Sequence, residues 1–193
     1  MKIPVFPLHA VLFPGSLLPL KIFEQRYVDM LKACLRDSQP FGVFLIRKGA
    51  EVGAPAVPYR VGCLAHILDW EMPQLGVFHV KALGAQKVRI SGTKTQPNGL
   101  LTAAAETLEP DADTPLAPEY AICARVLHMI IEKIGEERFH SPLRFDDAVW
   151  VSYRLAEVLP IGLHVRQQIL ELNESAARFE VLLYFLKQQG LET

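Results

Sequence analysis

Residues 6–35, FPLHAVLFPGSLLPLKIFEQRYVDMLKACL, decide the reading of this chain, because within them a proline-punctuated apolar stretch passes straight into an amphipathic helix. Two apolar runs, residues 11–13 and 17–23, flank Pro14-Gly15, a pair that turns the chain, so the stretch predicts two short strands joined by a turn. Residues 3–20 carry no Lys, Arg, Asp or Glu and have the approximate length of a membrane span or a secretory leader. Pro4, Pro7, Pro14 and Pro19 exclude a continuous spanning helix, since each interior proline costs a helix about 3 kcal/mol. No small-residue cleavage site follows a charged leader, so the expectation is a cytoplasmic protein with no membrane attachment.

Beyond the strands, Tyr27, Val28, Leu31, Cys34 and Leu35 recur at helical spacing, while Gln25, Asp29, Lys32 and Arg36 fall on the opposite side. That predicts a helix packed on a sheet, with Glu24 at its positive end and a stop at Asp37-Ser38-Gln39-Pro40. Residues 41–46, rich in Phe, Val and Ile, predict the next strand.

From Tyr59 the period changes to two. Residues 61–68 are apolar on both faces; Asp69 and Glu71 then alternate with Trp70 and Met72 before the turn Pro73-Gln74-Leu75-Gly76. The return strand sets Phe78, Val80 and Ala82 against His79 and Lys81, and alternation resumes at residues 87–90. Pro97-Asn98-Gly99 marks another turn, and residues 100–107 supply a further strand. Many short strands without intervening helices predict a small antiparallel barrel.

The segment Glu109-Pro110-Asp111-Ala112-Asp113-Thr114-Pro115 is acidic and holds two prolines, which places a boundary there: residues 1–110 form the barrel and 116–193 a helical region. Tyr120, Cys123, Leu127, Ile130, Ile131 and Ile134 share one helical face. Residues 148–159 form a second helix, and Val165, Ile169 and Leu172 mark a short third. Asn173 caps a last helix carrying Ala176, Phe179, Leu182, Leu183 and Leu186, and Gly190 terminates it. The fold class is α+β.

The opening FPL, VLFPG and LPLKIFEQRY resembles the start of the Lon protease N-terminal domain, the substrate-binding module that precedes the ATPase in Lon. The resemblance continues along nearly the whole chain. Tyr59-Arg60-Val61-Gly62-Cys63-Leu64-Ala65-His66-Ile67 looks like the family's YxVGTLAxI strand. Gly84-Ala85-Gln86-Lys87-Val88-Arg89-Ile90 is similar to its GxxRFRI hairpin, and Leu155-Ala156-Glu157-Val158-Leu159-Pro160-Ile161 to its LAxxLPL helix end. Cys63 stands at the usual Thr, and Lys87-Val88 at the usual Arg-Phe. The resemblance implies a PUA-like β-barrel followed by an α-helical bundle, and a protein that binds substrate without catalysis.

A nucleotide-driven enzyme needs a GxxxxGK[ST] loop whose amides and lysine hold phosphate, and no glycine in these 193 residues stands in that arrangement. A Ser-Lys peptidase module is equally absent. The six histidines show no HExxH or HxH spacing, so no metal is expected; neither is any cofactor. Asp69 and Glu71 share a strand face as solvated charges, and Ser16 sits in a turn outside any GxSxG elbow. Cys34, Cys63 and Cys123 are far apart and read as buried thiols of a reducing compartment.

A formal net charge of -1 supplies no basic field, which argues against nucleic acid. The alternatives to protein binding are an RNA-binding PUA-like module using Lys81, Lys87, Arg89 and Lys94 with His79, and a small-molecule-binding barrel. Trp70, Met72 and Leu75 form the candidate substrate-binding residues, because a hairpin tip carries large apolar groups only where something covers them. Residues 139–145 are a candidate second wall. The partners expected are exposed segments of unfolded or client proteins, with a separately encoded ATPase or protease.

Overall fold

Buried apolar residues pull the N-terminal stretch into the sheet earlier than its turn signal suggests. In this computed structural model, which describes residues 1–112 and 114–191, β1 runs Lys2–Leu8 and β2 Leu17–Ile22. Asp113 of the boundary segment and residues 192–193 of the helical region lie outside the described residues. Residues 11–13, expected as a strand, belong to none; Leu12 and Phe13 are buried as a plug, and the Phe13 carbonyl accepts from the Ser16 N–H at 3.1 Å.

The prolines of β1 are tolerated for a reason that its ladders reveal. The Met1 carbonyl accepts from Ala105, so residues of odd number in β1 point their backbone groups toward β8 (Leu101–Thr107), whose pairing reaches only Val5. Pro7 lies past that limit. Pro4 points the other way, ahead of the stretch paired with β3 (Phe41–Lys48), so neither ring removes a ladder donor.

Between β2 and β3 runs α1 (Gln25–Asp37), which buries Tyr27, Val28, Leu31 and Cys34 as its spacing predicts. It ends at Ser38, which adopts a left-handed φ of 51° and donates its N–H to the Cys34 carbonyl. The crossover through β2 and α1 makes β3 parallel to β1, so the sheet is not wholly antiparallel. β4 (Val57–Pro58), β5 (Val61–Gln74), β6 (Val77–Ile90) and β7 (Lys94–Thr95) complete it with β8.

Pairings β1–β3, β3–β5, β5–β6, β6–β8 and β8–β1 close a ring of five strands. Its interior is one apolar cluster fed by all five: Ile3 and Val5, Phe44, Leu64, Val88 and Ile90, and Leu101, Ala103 and Ala105. The ring is narrow. A Cβ on Gly42 or Gly62 would strike the Phe44 ring, so these glycines make the room that the phenylalanine fills. A second cluster joins α1 to the outward side of β1, β3, β5 and β6 through Phe6, Phe41, Val43, Phe78 and Val80.

The chain divides into two compact units, Met1–Glu109 and the residues from Pro110 onward. In the second, α2 (Ala121–Ile134), α3 (Ala148–Val158), α4 (Leu163–Glu171) and α5 (Ser175–Gln188) follow single 3-10 turns or loops. α3 packs against the other three and is buried nearly all round, beyond the stripe of Leu155, Val158 and Leu159 that its periodicity displays. Asp147 caps it, accepting from Val149 at 2.8 Å and Trp150 at 3.0 Å. α5 begins at Ser175 with Glu174 in the cap position, one residue after the expected Asn173, and Gly190 takes φ 74° past its end.

Candidate functional site

Strand β6 is long enough to serve two structures. Its second half closes the ring, while its first half, with β5 on one side and β2 on the other, forms a three-stranded arm. Directly opposed residues of an antiparallel pair point to the same face, so the register sorts the arm into two surfaces. Asp69, Lys81 and Pro19 form one row, and Glu71, His79 and Lys21 the next, on the polar face. His79 Nδ1 lies 3.1 Å from Glu71 Oε1.

The other face is apolar. Ile67, Ala82 and Leu18 form a row, then Trp70, Val80 and Leu20. Val80 is buried, but Trp70 at the end of its row stays 47% exposed and rests its ring 5.8 Å from that of Phe78. Met72, in the irregular stretch between Glu71 and Gln74, is exposed to the same degree. Leu75 occupies the two-residue turn with Gly76, whose φ of 79° suits glycine, and is 92% exposed. Leu68, not singled out by the sequence, is also half exposed, at a bulge between Ile67 and Asp69. Trp70, Met72 and Leu75 are therefore all at the surface of one hairpin end.

Farther along the same apolar face, past Leu20, lies a groove of about 330 Å³. Phe6, Leu18, Leu20 and Tyr27 line it, with Phe23 and Val52 more than half exposed at its mouth. Glu24 and Glu51 add carboxylates. Arg26, buried on α1, pairs with Glu24 at 2.9 Å and stacks 4.7 Å over the Tyr27 ring. Burial chiefly raises the Tyr27 pKa; the Arg26 charge lowers it, and Glu24 and Glu51 raise it further. Sequence reading missed this groove because its lining comes from β1, β2, α1 and the loop after β3. Phe23, a large apolar residue between Ile22 and the acidic start of a helix, was the available signal.

The remaining candidates separate. Lys81 stands opposite Asp69, Arg89 opposite Glu106, and Lys87 is buried, so the basic residues of β6 form no uninterrupted cationic track. Ser16 is buried in the turn, and no three His, Cys, Asp or Glu side chains among the described residues gather as metal ligands. The three cysteines are buried thiols outside any disulfide; burial pushes the Cys34 thiol up to about 11 and the Cys123 thiol to about 12. Of residues 139–145, Phe139 is buried in the helical unit and Phe145 is held between His128 at 5.1 Å and Trp150 at 5.3 Å. No helix of the described residues is long and apolar enough to cross a membrane.

Known proteins resemble this chain along nearly its whole length. The family model of the ATP-dependent protease La (LON) substrate-binding domain matches residues 2–188. The crystal structure of a Lon N-terminal domain protein from Xanthomonas campestris superposes with a TM-score of 0.80 at 33% identity, covering 95% of this chain and 98% of that one. The N-terminal domain of Mycobacterium avium complex Lon protease shares the fold at a TM-score of 0.67 and 15% identity, covering 97% and 98%. Lon protease 2 of Herpetosiphon aurantiacus is 28% identical over 98% of this chain and 24% of its own length. Lon protease of Escherichia coli K12 is 24% identical over 98% and 25%. The chain thus spans about a quarter of the length of the curated relatives it matches.

Proposed function

This chain belongs to the ATP-dependent protease La (LON) substrate-binding domain family, and on that premise we propose that it is a non-catalytic module that captures exposed apolar segments of unfolded or client proteins. The observation that carries the reading is the apolar face of the β2–β6–β5 arm, where Trp70, Met72 and Leu75 stay exposed at the hairpin end. A rigid aromatic ring supplies contact area at small entropic cost, and a thioether adapts its shape to varied neighbours, a pairing suited to segments of differing sequence. The polar face behind it, with its rows Asp69–Lys81 and Glu71–His79, keeps the arm solvated.

The edge of β2 supports capture by side chains over strand addition. Leu18, Leu20 and Ile22 pair inward with β6, so the ring nitrogen of Pro19 faces outward and the free edge lacks a donor at its centre. The interrupted charge on β6 favours protein over RNA as the ligand. Delivery of the captured segment to a separately encoded ATPase or protease completes the proposed role.

The test is a binding titration of a permanently unfolded, cysteine-blocked client and of its native form against the purified protein. Saturable binding of the unfolded form alone is expected, with no ATP hydrolysis and no cleavage. Equal affinity for both forms, or nucleotide turnover that co-purifies with the chain, overturns the reading.

A further inference from the structure

We propose that the groove beside Leu20 receives one bulky apolar side chain of an extended client segment that carries a lysine or arginine next to it. The inference rests on the capture of apolar segments proposed above, and adds the charge that the segment must bear. Its basis is an imbalance at the groove mouth. The walls are apolar, formed by Phe6, Leu18, Leu20 and Tyr27, and the only charged side chains lining it among the described residues are Lys21, Glu24 and Glu51.

Two of those three are accounted for. Lys21 stands opposite His79 in the ladder, in the row with Glu71, so its side chain belongs to the polar face while Leu20 and Ile22 belong to the apolar one. Glu24 is neutralised by Arg26 at 2.9 Å. That guanidinium also reaches the carbonyls of Gly99 at 3.4 Å and Glu51 at 3.5 Å.

Glu51 is different. Its side chain is 44% exposed; Oε1 accepts from the His9 backbone N–H at 2.6 Å and lies 3.6 Å from His9 Nδ1. No lysine or arginine among the described residues pairs with it. The carboxylate therefore belongs to a residue that lines an apolar groove beside the exposed Val52, and no described lysine or arginine offsets its charge there. An apolar side chain followed by a cation matches both parts of this surface, whereas a following carboxylate meets repulsion.

The experiment is fluorescence anisotropy with three short labelled peptides that differ only at the centre, Phe-Lys, Phe-Gln and Phe-Glu, titrated with the full chain. The expected order is Phe-Lys, Phe-Gln, Phe-Glu, each step about three- to fivefold, as a partly exposed ion pair supplies. The preference shrinks at about 0.5 M salt, where the screening length falls to roughly 4 Å. It vanishes in Glu51→Gln, which keeps an acceptor for His9, and reverses in Glu51→Lys; Phe23→Ala weakens all three peptides alike. Equal affinities for the three peptides, or a lysine preference that survives Glu51→Gln, overturns this inference and leaves apolar capture standing. Absence of binding by every peptide overturns both.

Discussion

Arg178 and Asp111 lie 67 positions apart in the chain, yet the guanidinium donates from Nη1 to Asp111 Oδ1 at 3.1 Å, with the two side chains only 0% and 6% exposed. Oδ2 of the same carboxylate accepts from the Tyr153 hydroxyl at 2.6 Å. Arg178 also donates to Ser152 Oγ at 2.9 Å and to the Leu172 carbonyl at 3.2 Å. An acidic, proline-bearing segment that reads as a connector thus supplies the counter-charge of the helical unit. Its backbone is tied down as well, since Ala148 donates to the Thr114 carbonyl and Leu116 to that of Asp146, each at 2.8 Å.

Removing that carboxylate should cost more than an ordinary surface change. Asp111→Ala removes the carboxylate that balances a buried guanidinium, which keeps the neutral acceptors Ser152 Oγ and the Leu172 carbonyl, a loss of about 3 to 5 kcal/mol for a broken buried pair. Asp111→Asn, which keeps an acceptor, should lose less. Urea unfolding followed by helical circular dichroism measures both; a loss below about 1 kcal/mol in the alanine variant would mean that the pair contributes little.

Local patterns were legible and long-range partners were not. The spacing of Tyr27, Val28, Leu31 and Cys34 announces α1 because a helix is written within four residues, and Pro73-Gln74-Leu75-Gly76 announces the hairpin for the same reason. The parallel pairing of β1 with β3 and the closure of β6 on β8 join segments far apart, and no short window encodes them. The candidate site shows the same division: Trp70, Met72 and Leu75 stand out by alternation, while the groove is assembled from four separate stretches. Arg26 and Arg178 were hidden because charge normally marks a solvated face, and here it marks buried partners.

Gly84 opens the motif Gly84-Ala85-Gln86-Lys87-Val88-Arg89-Ile90, and the structure gives it a steric duty. Its carbonyl accepts from the Gly15 N–H and its own N–H donates to Ser16, both at 2.8 Å, which clamps the Pro14-Gly15 turn onto β6. A Cβ there would overlap the Phe13 carbonyl, which belongs to backbone and cannot rotate away. Gly84→Ala should therefore destabilise by about 1 to 3 kcal/mol, as overpacking does. Gly92→Ala, where a Cβ meets nothing within 4 Å, is the control that should stay near zero in the same thermal melts.

The buried thiols set an alkaline limit. Burial favours the neutral form, raising Cys34 to about 11, with Asp37 adding to the rise, and Cys123 to about 12. A folded pKa above the unfolded one means full stability below about pH 9, lost progressively as pH climbs through the folded values. Native protein at pH 8 should resist a thiol-specific chromogenic reagent and react at all three cysteines once denatured. Stability should fall between pH 9 and 11, and less so in a Cys34→Ala, Cys123→Ala double variant; an equal fall in that variant would assign the loss to other groups.

The hairpin end gives the sharpest separation of binding from folding. Leu75 is 92% exposed and Trp70 47%, its ring 5.8 Å between centroids from that of Phe78, so both side chains stand at the edge of the core rather than within it. At an interface the same groups act as anchors, each worth about 1 to 3 kcal/mol when cut to alanine. Trp70→Ala combined with Leu75→Ala should therefore weaken binding of an unfolded client by roughly tenfold or more, since about 1.4 kcal/mol is a factor of ten, while the melting temperature moves little. A large drop in melting temperature with unchanged affinity would instead assign Trp70 to the core it flanks through Val80 and Phe78, and would leave the groove beside Leu20 as the apolar surface that meets the client.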